Sequence, residues 1–358
     1  MSSRTSFHPL TVTEVRRETA DALSIRFAVP PELADLFAFQ PGQYLTLRAV
    51  IDGEDVRRTY SICAAPSDDE LRVAVKALPG GRFSTHVAER LRVGDTLDAL
   101  VPAGHFTWDF GRVTGGHYAA FAAGSGITPV LSLIRTALAT DPQARVSLFY
   151  GNRDAGGILF LEQLAALKDS HLDRFTVHHF LTAEEDEFEL LNGRLDRGKC
   201  DEILSTLIDP TAVTAFFLCG PDGMMAAAEA ALLARGVDTG RILLERFAAA
   251  GAPPTAETVA RSAAAAGRRI GVVLEGHRVT VPFDAAAGNI LDSVRAAGLP
   301  APYACKGGVC ATCRARLRTG QVDMRVNYGL SDAEVADGYV LTCQAVPETD
   351  DVLVDYDA

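Results

Sequence analysis

The stretch Ala304-Cys305-Lys306-Gly307-Gly308-Val309-Cys310-Ala311-Thr312-Cys313 is followed, twenty-nine residues later, by Cys343. Three cysteines at C-x4-C-x2-C plus a distant fourth is the spacing by which four thiolates hold two irons in a [2Fe–2S] cluster. Gly307 and Gly308 allow the backbone to wrap closely and turn amide N–H groups toward sulfur. A structural zinc site pairs two close ligands with two more close ligands, and no histidine lies inside this loop. Disulfides fit poorly as well. The cysteines number seven, an odd count, and Met1–Leu10 has no apolar core of the kind a secretory leader carries. Cys305, Cys310, Cys313 and Cys343 are therefore the candidate metal ligands, and Cys63, Cys200 and Cys219 are expected to be reduced thiols in a cytoplasmic protein. Such a site moves one electron at a time.

Working outward, 358 residues provide for two or three domains. A net charge of −12 argues against nucleic acid, which needs a basic footprint. No run approaches the roughly 18 apolar residues of a membrane span. Residues 251–267, GAPPTAETVARSAAAAG, lack large apolar side chains and read as an interdomain linker, with room for a helical turn over Val259–Ala266. Residues 268–358 then form a compact unit holding the cysteines. Residues 1–112 read as all-β, with strands expected over Leu10–Val15, Ala22–Val29, Tyr44–Ala49, Asp55–Ile62 and Leu71–Ala77, which suggests a small closed barrel. Residues 113–250 alternate. Strands are expected at Tyr118–Ala122, Arg145–Tyr150, Phe175–Leu181 and Ala215–Cys219, and helices at Val130–Leu138, Phe160–Leu167 and Met224–Arg235. That pattern implies right-handed βαβ units and a parallel sheet.

Several loops in these parts suit nucleotides. Ala123-Gly124-Ser125-Gly126-Ile127-Thr128-Pro129 joins a strand to a helix, with Thr128 expected as N-cap and Pro129 at the first helical position. A helix N-terminus placed there is a ready site for pyrophosphate. Cys219-Gly220-Pro221 ends a later strand and belongs to the same crevice, because ligands of open α/β sheets bind beyond the carboxyl ends of the strands. In the barrel part, Arg58 and Tyr60 share one face of a strand that closes at Ser61, and Gly80-Gly81-Arg82-Phe83-Ser84-Thr85 precedes a helix expected at His86–Glu89, a second anion-cradling turn. The neighbours His178 and His179 lack metal-ligand spacing and are expected to be plain strand residues.

Taken in order, Arg58-x-Tyr60-Ser61, Gly80-Gly81-x-Phe83-Ser84, Gly124–Pro129, Cys219-Gly220-Pro221 and Glu245-Arg246-Phe247 resemble the ferredoxin–NADP reductase superfamily over residues 5–250. The C-terminal part resembles plant-type ferredoxins of β-grasp fold over residues 268–358. Tyr150-Gly151-Asn152-Arg153, Asn192-Gly193-Arg194-Leu195, Met324-x-x-Asn327-Tyr328 and Gly338–Gln344 narrow the likeness to the phenylacetyl-CoA epoxidase reductases, a family of fused oxygenase reductases that feed a di-iron oxygenase. The resemblance implies a multidomain protein: an antiparallel β-barrel FAD domain, an α/β parallel-sheet NAD(P) domain and an α+β ferredoxin domain.

It also implies roles. Arg58 would bind the FAD pyrophosphate, Tyr60 would pack on the isoalloxazine, and Ser61 would lie near flavin N5. Gly81, Phe83, Ser84 and Thr85 would hold or flank the phosphates. Gly124, Ser125, Gly126 and Thr128, with Gly220 and Pro221, would take the nicotinamide nucleotide, Thr128 and Cys219 lying at the nicotinamide. Phe247 would cover the other flavin face. Ser61, Thr128 and Cys219 are thus the candidate residues around the reacting atoms. NADPH-using relatives commonly carry Ser-Arg after the third strand of the nucleotide domain; here the chain reads Thr182-Ala183-Glu184-Glu185. NADPH is the family expectation, with Arg153 compensating from the next loop, and NADH is its competitor.

Electron counts then fix the order of transfer. A nicotinamide gives two electrons as a hydride, a [2Fe–2S] cluster takes one, and a flavin handles both. The expected acceptor is an oxygenase, with no nucleic acid and no membrane. Reductases of steroid or aromatic-ring hydroxylases, a general electron carrier and a redox-sensing module are the rival readings. Arg314, Arg316 and Arg318 alternate after the third ligand; they are either a solvated strand face or a docking patch for an acidic acceptor.

Overall fold

The computed structural model describes residues 6–247 and 256–358. Contacts divide the chain into two compact units, one holding Ser6–Val56 and Tyr60–Arg246, the other Arg57–Thr59 together with the chain from Phe247 onward.

The first unit begins with six antiparallel strands: β1 (His8–Thr19), β2 (Ala22–Ala28), β3 (Tyr44–Ile51), β4 (Glu54–Ser61), β5 (Leu71–Lys76) and β6 (Thr96–Ala99). Their order is β4-β3-β6-β1-β2-β5. Asp52 and Gly53 both take positive φ, 53° and 80°, which suits the tight turn between β3 and β4. The two edge strands meet: Ile62 bridges Val73 and Cys63 N–H donates to Arg72 O at 2.9 Å. The sheet therefore closes into the expected barrel, which removes its exposed edges. Leu10, Ile25, Leu45, Val73 and Phe83 fill it. Helix α1 (Ala34–Phe37) is a single turn, and α2 (Arg82–Arg90) packs its Phe83 and Val87 inward.

A parallel sheet follows, built from β7 (His117–Ala123), β8 (Arg145–Asn152), β9 (Phe175–Leu181), β10 (Ala215–Cys219) and β11 (Ile242–Glu245). Helices α3 (Ile127–Thr140), α4 (Leu161–Ser170), α5 (Arg197–Thr206) and α6 (Asp222–Leu233) connect them. Strand order is β11-β10-β7-β8-β9, so the winding reverses between β7 and β10, the place where open α/β sheets bind ligands. Phe121, Phe149, Phe180 and Phe216 pack on one face. On the other face, Phe106 and Phe110 from the chain after the barrel join Tyr118, Leu131 and Phe217 in one continuous cluster. Ser132 Oγ of α3 also donates to Ala64 O at 2.6 Å, tying the helix to the chain that leaves β4. Barrel and parallel sheet are thus one packed body. His178 and His179 lie in β9 as expected; burial lowers the pKa of both, and His178 stacks on Phe149 with centroids 5.6 Å apart.

The second unit contains α7 (Ala256–Ala264), β12 (Arg269–Leu274), β13 (His277–Pro282), α8 (Ile290–Ala296), β14 (Arg314–Thr319), β15 (Val322–Met324), α9 (Asp332–Ala336), β16 (Tyr339–Leu341), β17 (Ala345–Pro347) and β18 (Leu353–Asp355). The sheet runs β13-β12-β18-β14-β16, with β12 and β18 parallel, and β15 pairs β17 separately. Ile290, Leu291 and Val294 of α8 enter the same core as Ile270, Val354 and Leu341. Of the expected linker, 251–255 lie outside the described residues. Its second half is a correction: residues 256–264 are helical, Ala265 is buried in this unit's core, and Ser262 Oγ donates to Gly288 O at 3.1 Å. Small Ala and Ser side chains let that helix sit close instead of leaving it a free tether. Among the described residues, no helix is long and apolar enough to cross a membrane.

Candidate active site

All four cysteines of the opening motif are buried in the second unit. They come as two pairs. Cys305 and Cys310 form one, each sulfur accepting from the other's backbone N–H at 3.4 Å, and Cys313 and Cys343 interact as the second. Among the described residues, no three His, Cys, Asp or Glu side chains gather about a single point. Two thiols on each of two centres is the donor set that a two-iron cluster needs.

The loop favours thiolate at Cys305 and Cys343, while their thiol partners and burial hold Cys310 and Cys313 up. Lys306, Gly308 and Ala311 all take positive φ, at 53°, 76° and 47°, an arrangement that turns successive amides inward. The N–H groups of Gly307 and Cys310 donate to Cys305 Sγ at 3.3 and 3.4 Å. With the Cys310 thiol first and these amides after it, the Cys305 pKa falls to about 6. The hydrogen bond from Cys313 likewise lowers Cys343. At Gly308 a Cβ would meet Val326 O at 2.9 Å, so the segment after β15 lies too close for any side chain. Thr342 Oγ1 donates to Cys313 O at 2.8 Å, and Tyr356 Oη donates to Thr342 Oγ1 at 2.9 Å. That buried chain fastens the Cys343 arm to the Cys313 arm, and composition gave no signal for it.

The arginines of β14 do not form an uncompensated patch. Arg314 pairs with Glu334 at 2.6 Å, Arg318 pairs with Asp355 at 2.8 Å, and Arg316 Nε donates to Asp337 O at 3.0 Å. Two of the three charges are thus paired and the third bonds a carbonyl, as suits the solvated-face alternative.

In the first unit, the loop after β7 reaches its position through β10. A Cβ on Gly126 would lie 2.0 Å from Cys219 O, so the loop Gly124–Thr128 and the loop Cys219–Pro221 touch backbone to backbone. A Cβ on Gly220 would meet Ala123 N at 3.1 Å. Thr128 is not the N-cap. A 3-10 turn over Gly124–Gly126 runs straight into α3, Gly126 holds the cap position without a side-chain bond, and buried Thr128 donates its hydroxyl back to Ser125 O at 2.9 Å. Pro129 consequently sits third in the helix, not first. Gly124 and Ser125 are the accessible part of the loop. Gly124 has φ +53° with open space beside it, and its carbonyl accepts from the buried Tyr150 Oη at 3.0 Å.

Cys219 is fully buried. Burial, then neighbouring Glu245, pushes its thiol well above the ordinary value, so at neutral pH it is a small apolar wall and not a nucleophile. Glu245 is its register partner on β11, and burial raises that carboxyl to about 8. Arg246 Nη1 closes the crevice edge by donating to Asp222 at 2.7 Å. Pro221 is the N-cap of α6. Arg153 leaves the end of β8, 83% exposed, and pairs with Asp154 at 3.1 Å.

On the barrel, Arg58 and Tyr60 alternate onto one face of β4, and Ser61 is buried at its end. Helix α2 starts at Arg82, four residues before the expected His86, with Gly81 as N-cap. The N–H groups of its first turn are free of helix partners and suit a phosphate. Two of the residues expected around the phosphates are engaged elsewhere. Phe83 is buried in the barrel core beside Tyr60, centroids 5.7 Å apart. Ser84 Oγ accepts from Leu78 N–H and donates to Gly81 O, both at 3.2 Å, so it shapes the turn. Thr85 is half-buried, and its N–H donates to Gly81 O at 2.9 Å. The part-exposed Tyr60 ring beside the free helix start suits a flat aromatic ring, while the Arg58 guanidinium donates to Arg57 O at 2.7 Å. Phe247 is 44% exposed and ends the described segment.

Known proteins agree with this geometry. An oxidoreductase FAD-binding domain family matches residues 9–108, an oxidoreductase NAD-binding domain family 121–230, and a 2Fe-2S iron-sulfur cluster binding domain family 272–348. The chain is 44% identical over 354 residues to one component of the 1,2-phenylacetyl-CoA epoxidase of Escherichia coli K12, covering 99% of each. It is 35% identical to the ferredoxin reductase component of 3-ketosteroid-9-alpha-monooxygenase from Rhodococcus rhodochrous, covering 97% of this chain and 96% of that one. Phthalate dioxygenase reductase shares the fold, with TM-score 0.59 and 23% identity over 98% of both chains. The chain belongs to the family of fused oxygenase reductases, FAD- and iron–sulfur-dependent NAD(P)H oxidoreductases that join a flavin barrel, a nicotinamide-nucleotide sheet and a ferredoxin domain.

Proposed function

We propose that this chain is the reductase of a phenylacetyl-CoA epoxidase, passing electrons from NADPH to a di-iron oxygenase. The observation that carries the reading is the match with the E. coli epoxidase component, which runs the length of both chains and leaves no module unpaired. Bound FAD would accept a hydride and release its electrons singly, the conversion that a nicotinamide and a one-electron cluster require of whatever stands between them. Arg58 and the first-turn amides of α2 hold its pyrophosphate, Tyr60 packs against its ring, and Ser61 lies at the end of the same strand. Gly124 and Ser125 cradle the nicotinamide nucleotide; Gly126, Thr128, Gly220 and Pro221 shape that cradle, and Cys219 keeps its floor dry. Arg153 reads the 2′-phosphate. Cys305, Cys310, Cys313 and Cys343 carry the cluster.

The test is oxygen-dependent turnover of phenylacetyl-CoA by the oxygenase components of the epoxidase with NADPH, with and without this protein in its flavin- and cluster-loaded form. Turnover that requires the added protein is expected. Efficient reduction of a steroid or aromatic-ring oxygenase, with none of the epoxidase, would assign a different partner.

A further inference from the structure

Arg325 follows β15 directly and turns three donors onto the peptides around the fourth cysteine. Its backbone N–H donates to Gln344 O at 3.1 Å. Its Nε reaches the same oxygen at 3.3 Å, and Nη2 reaches Cys343 O at 3.5 Å. The side chain is half-buried, so its charge is poorly screened by water. The other charges nearby are engaged with one another. Lys306 holds Asp292 at 2.5 Å and Arg314 holds Glu334. Asp323, two residues before Arg325, is taken by Arg261, which also holds Glu257. Among the described residues no carboxylate makes an ion pair with Arg325, and its hydrogen bonds go to carbonyls. Arg325 therefore sets a half-buried guanidinium directly on the ligand peptide, with Asp323 as the carboxylate that acts on it through space.

We infer that Arg325 sets the reduction potential of the cluster carried by Cys305, Cys310, Cys313 and Cys343, raising it as a fixed cation at the Cys343 peptide. The inference rests on those four cysteines being the ligands. The couple is one electron into the oxidised cluster with no proton taken up, so the site gains one negative charge on reduction. A nearby cation favours the reduced form, and cluster potentials follow local charge and hydrogen bonding. At an effective dielectric of about 20, one unit charge about 12 Å from the transferred electron shifts a one-electron equilibrium about tenfold, and more when nearer; tenfold corresponds to about 59 mV.

The experiment is a redox titration of the full-length holoprotein with dithionite, following the cluster's paramagnetic signal, alongside iron, sulfide and flavin content. Arg325→Gln is expected to lower the midpoint by roughly 59 mV, the tenfold shift above. Arg325→Lys keeps the charge and is expected to stay within about a third of that shift of the wild-type value. An unchanged midpoint in the Gln variant, or equal falls in both variants, overturns the inference. Should the Gln variant lose its cluster, Arg325→Met, which preserves the aliphatic stem, is read in the same way. Loss of the cluster from both neutral variants would show a structural role and likewise overturn it. A wild-type protein without any such signal would instead refute the ligand assignment.

Discussion

The role proposed for Arg153 turns on how its neighbours are committed. Asp154, its partner, is already committed: its Oδ1 accepts from Gly157 N–H at 2.8 Å. The Arg153 pair is exposed and contributes less than about 1 kcal/mol, so the guanidinium can leave for a phosphate at little cost. Against it stands Glu184, whose Oε1 accepts from Ala155 N–H at 3.0 Å and would repel that phosphate. A charged hydrogen bond is worth about 1.5–3 kcal/mol. Arg153→Ala should therefore lower kcat/KM for NADPH by roughly 10- to 100-fold, the rate equivalent of that range, and leave NADH within about twofold. Steady-state rates with both nucleotides and a cluster-independent acceptor decide it; equal losses would remove Arg153 from nucleotide recognition. Residue identity was legible here because a motif names types at fixed spacing. Side-chain use was less so. Thr128 and Ser84 stand where hydroxyls for a ligand are expected, yet each bonds its own turn, because Ser and Thr favour the nearest backbone partner.

Among the elements before residue 250, strands of five or more residues could be placed from sequence to within a few residues, since alternation and apolar runs show at that length. Strands β12 and β13, six residues each, are covered only by the likeness to a ferredoxin fold. Strands β6 and β11 are four residues each, too short for alternation to register, and α5 mixes charged and apolar positions without a clear stripe. Missing β11 also hid the register that sets the Glu245 carboxyl beside Cys219. Burial raises that pKa to about 8. A raised carboxyl pKa means stability is fully present below the unfolded value near 4.5 and falls as pH rises through 8. Glu245→Gln removes the penalty. Its melting temperature should match the wild type near pH 3.5 and exceed it by at least about 3 °C at pH 8.5, the shift for about 1 kcal/mol. Thermal unfolding across that range checks it, and a constant difference at every pH would contradict the buried-carboxyl reading.

At the scale of the whole molecule, three chemistries were legible as three successive sequence patterns, but the packing was not. The barrel and the parallel sheet share one buried cluster because Phe106 and Phe110, in the stretch between them, turn inward; no periodicity marks such residues. The cluster-bearing unit has a core of its own, which includes Cys313 and Cys343. That separation gives a sharp expectation for Cys343→Ser. Serine keeps the volume but is a poor ligand for a cluster held by thiolates, so the cluster should be lost or altered. Among the described residues, the buried clusters around the flavin and nucleotide parts contain none of the four cysteines, so flavin reduction should persist. NADPH should still bleach the flavin at a rate within about twofold of wild type, while electron delivery to the oxygenase falls by at least about 100-fold, or roughly 2.7 kcal/mol in barrier terms. Stopped-flow flavin reduction and oxygenase reduction, measured on the same preparation, separate the two halves. Undiminished delivery to the oxygenase would mean that electrons leave from the flavin directly and that the four cysteines are not the exit.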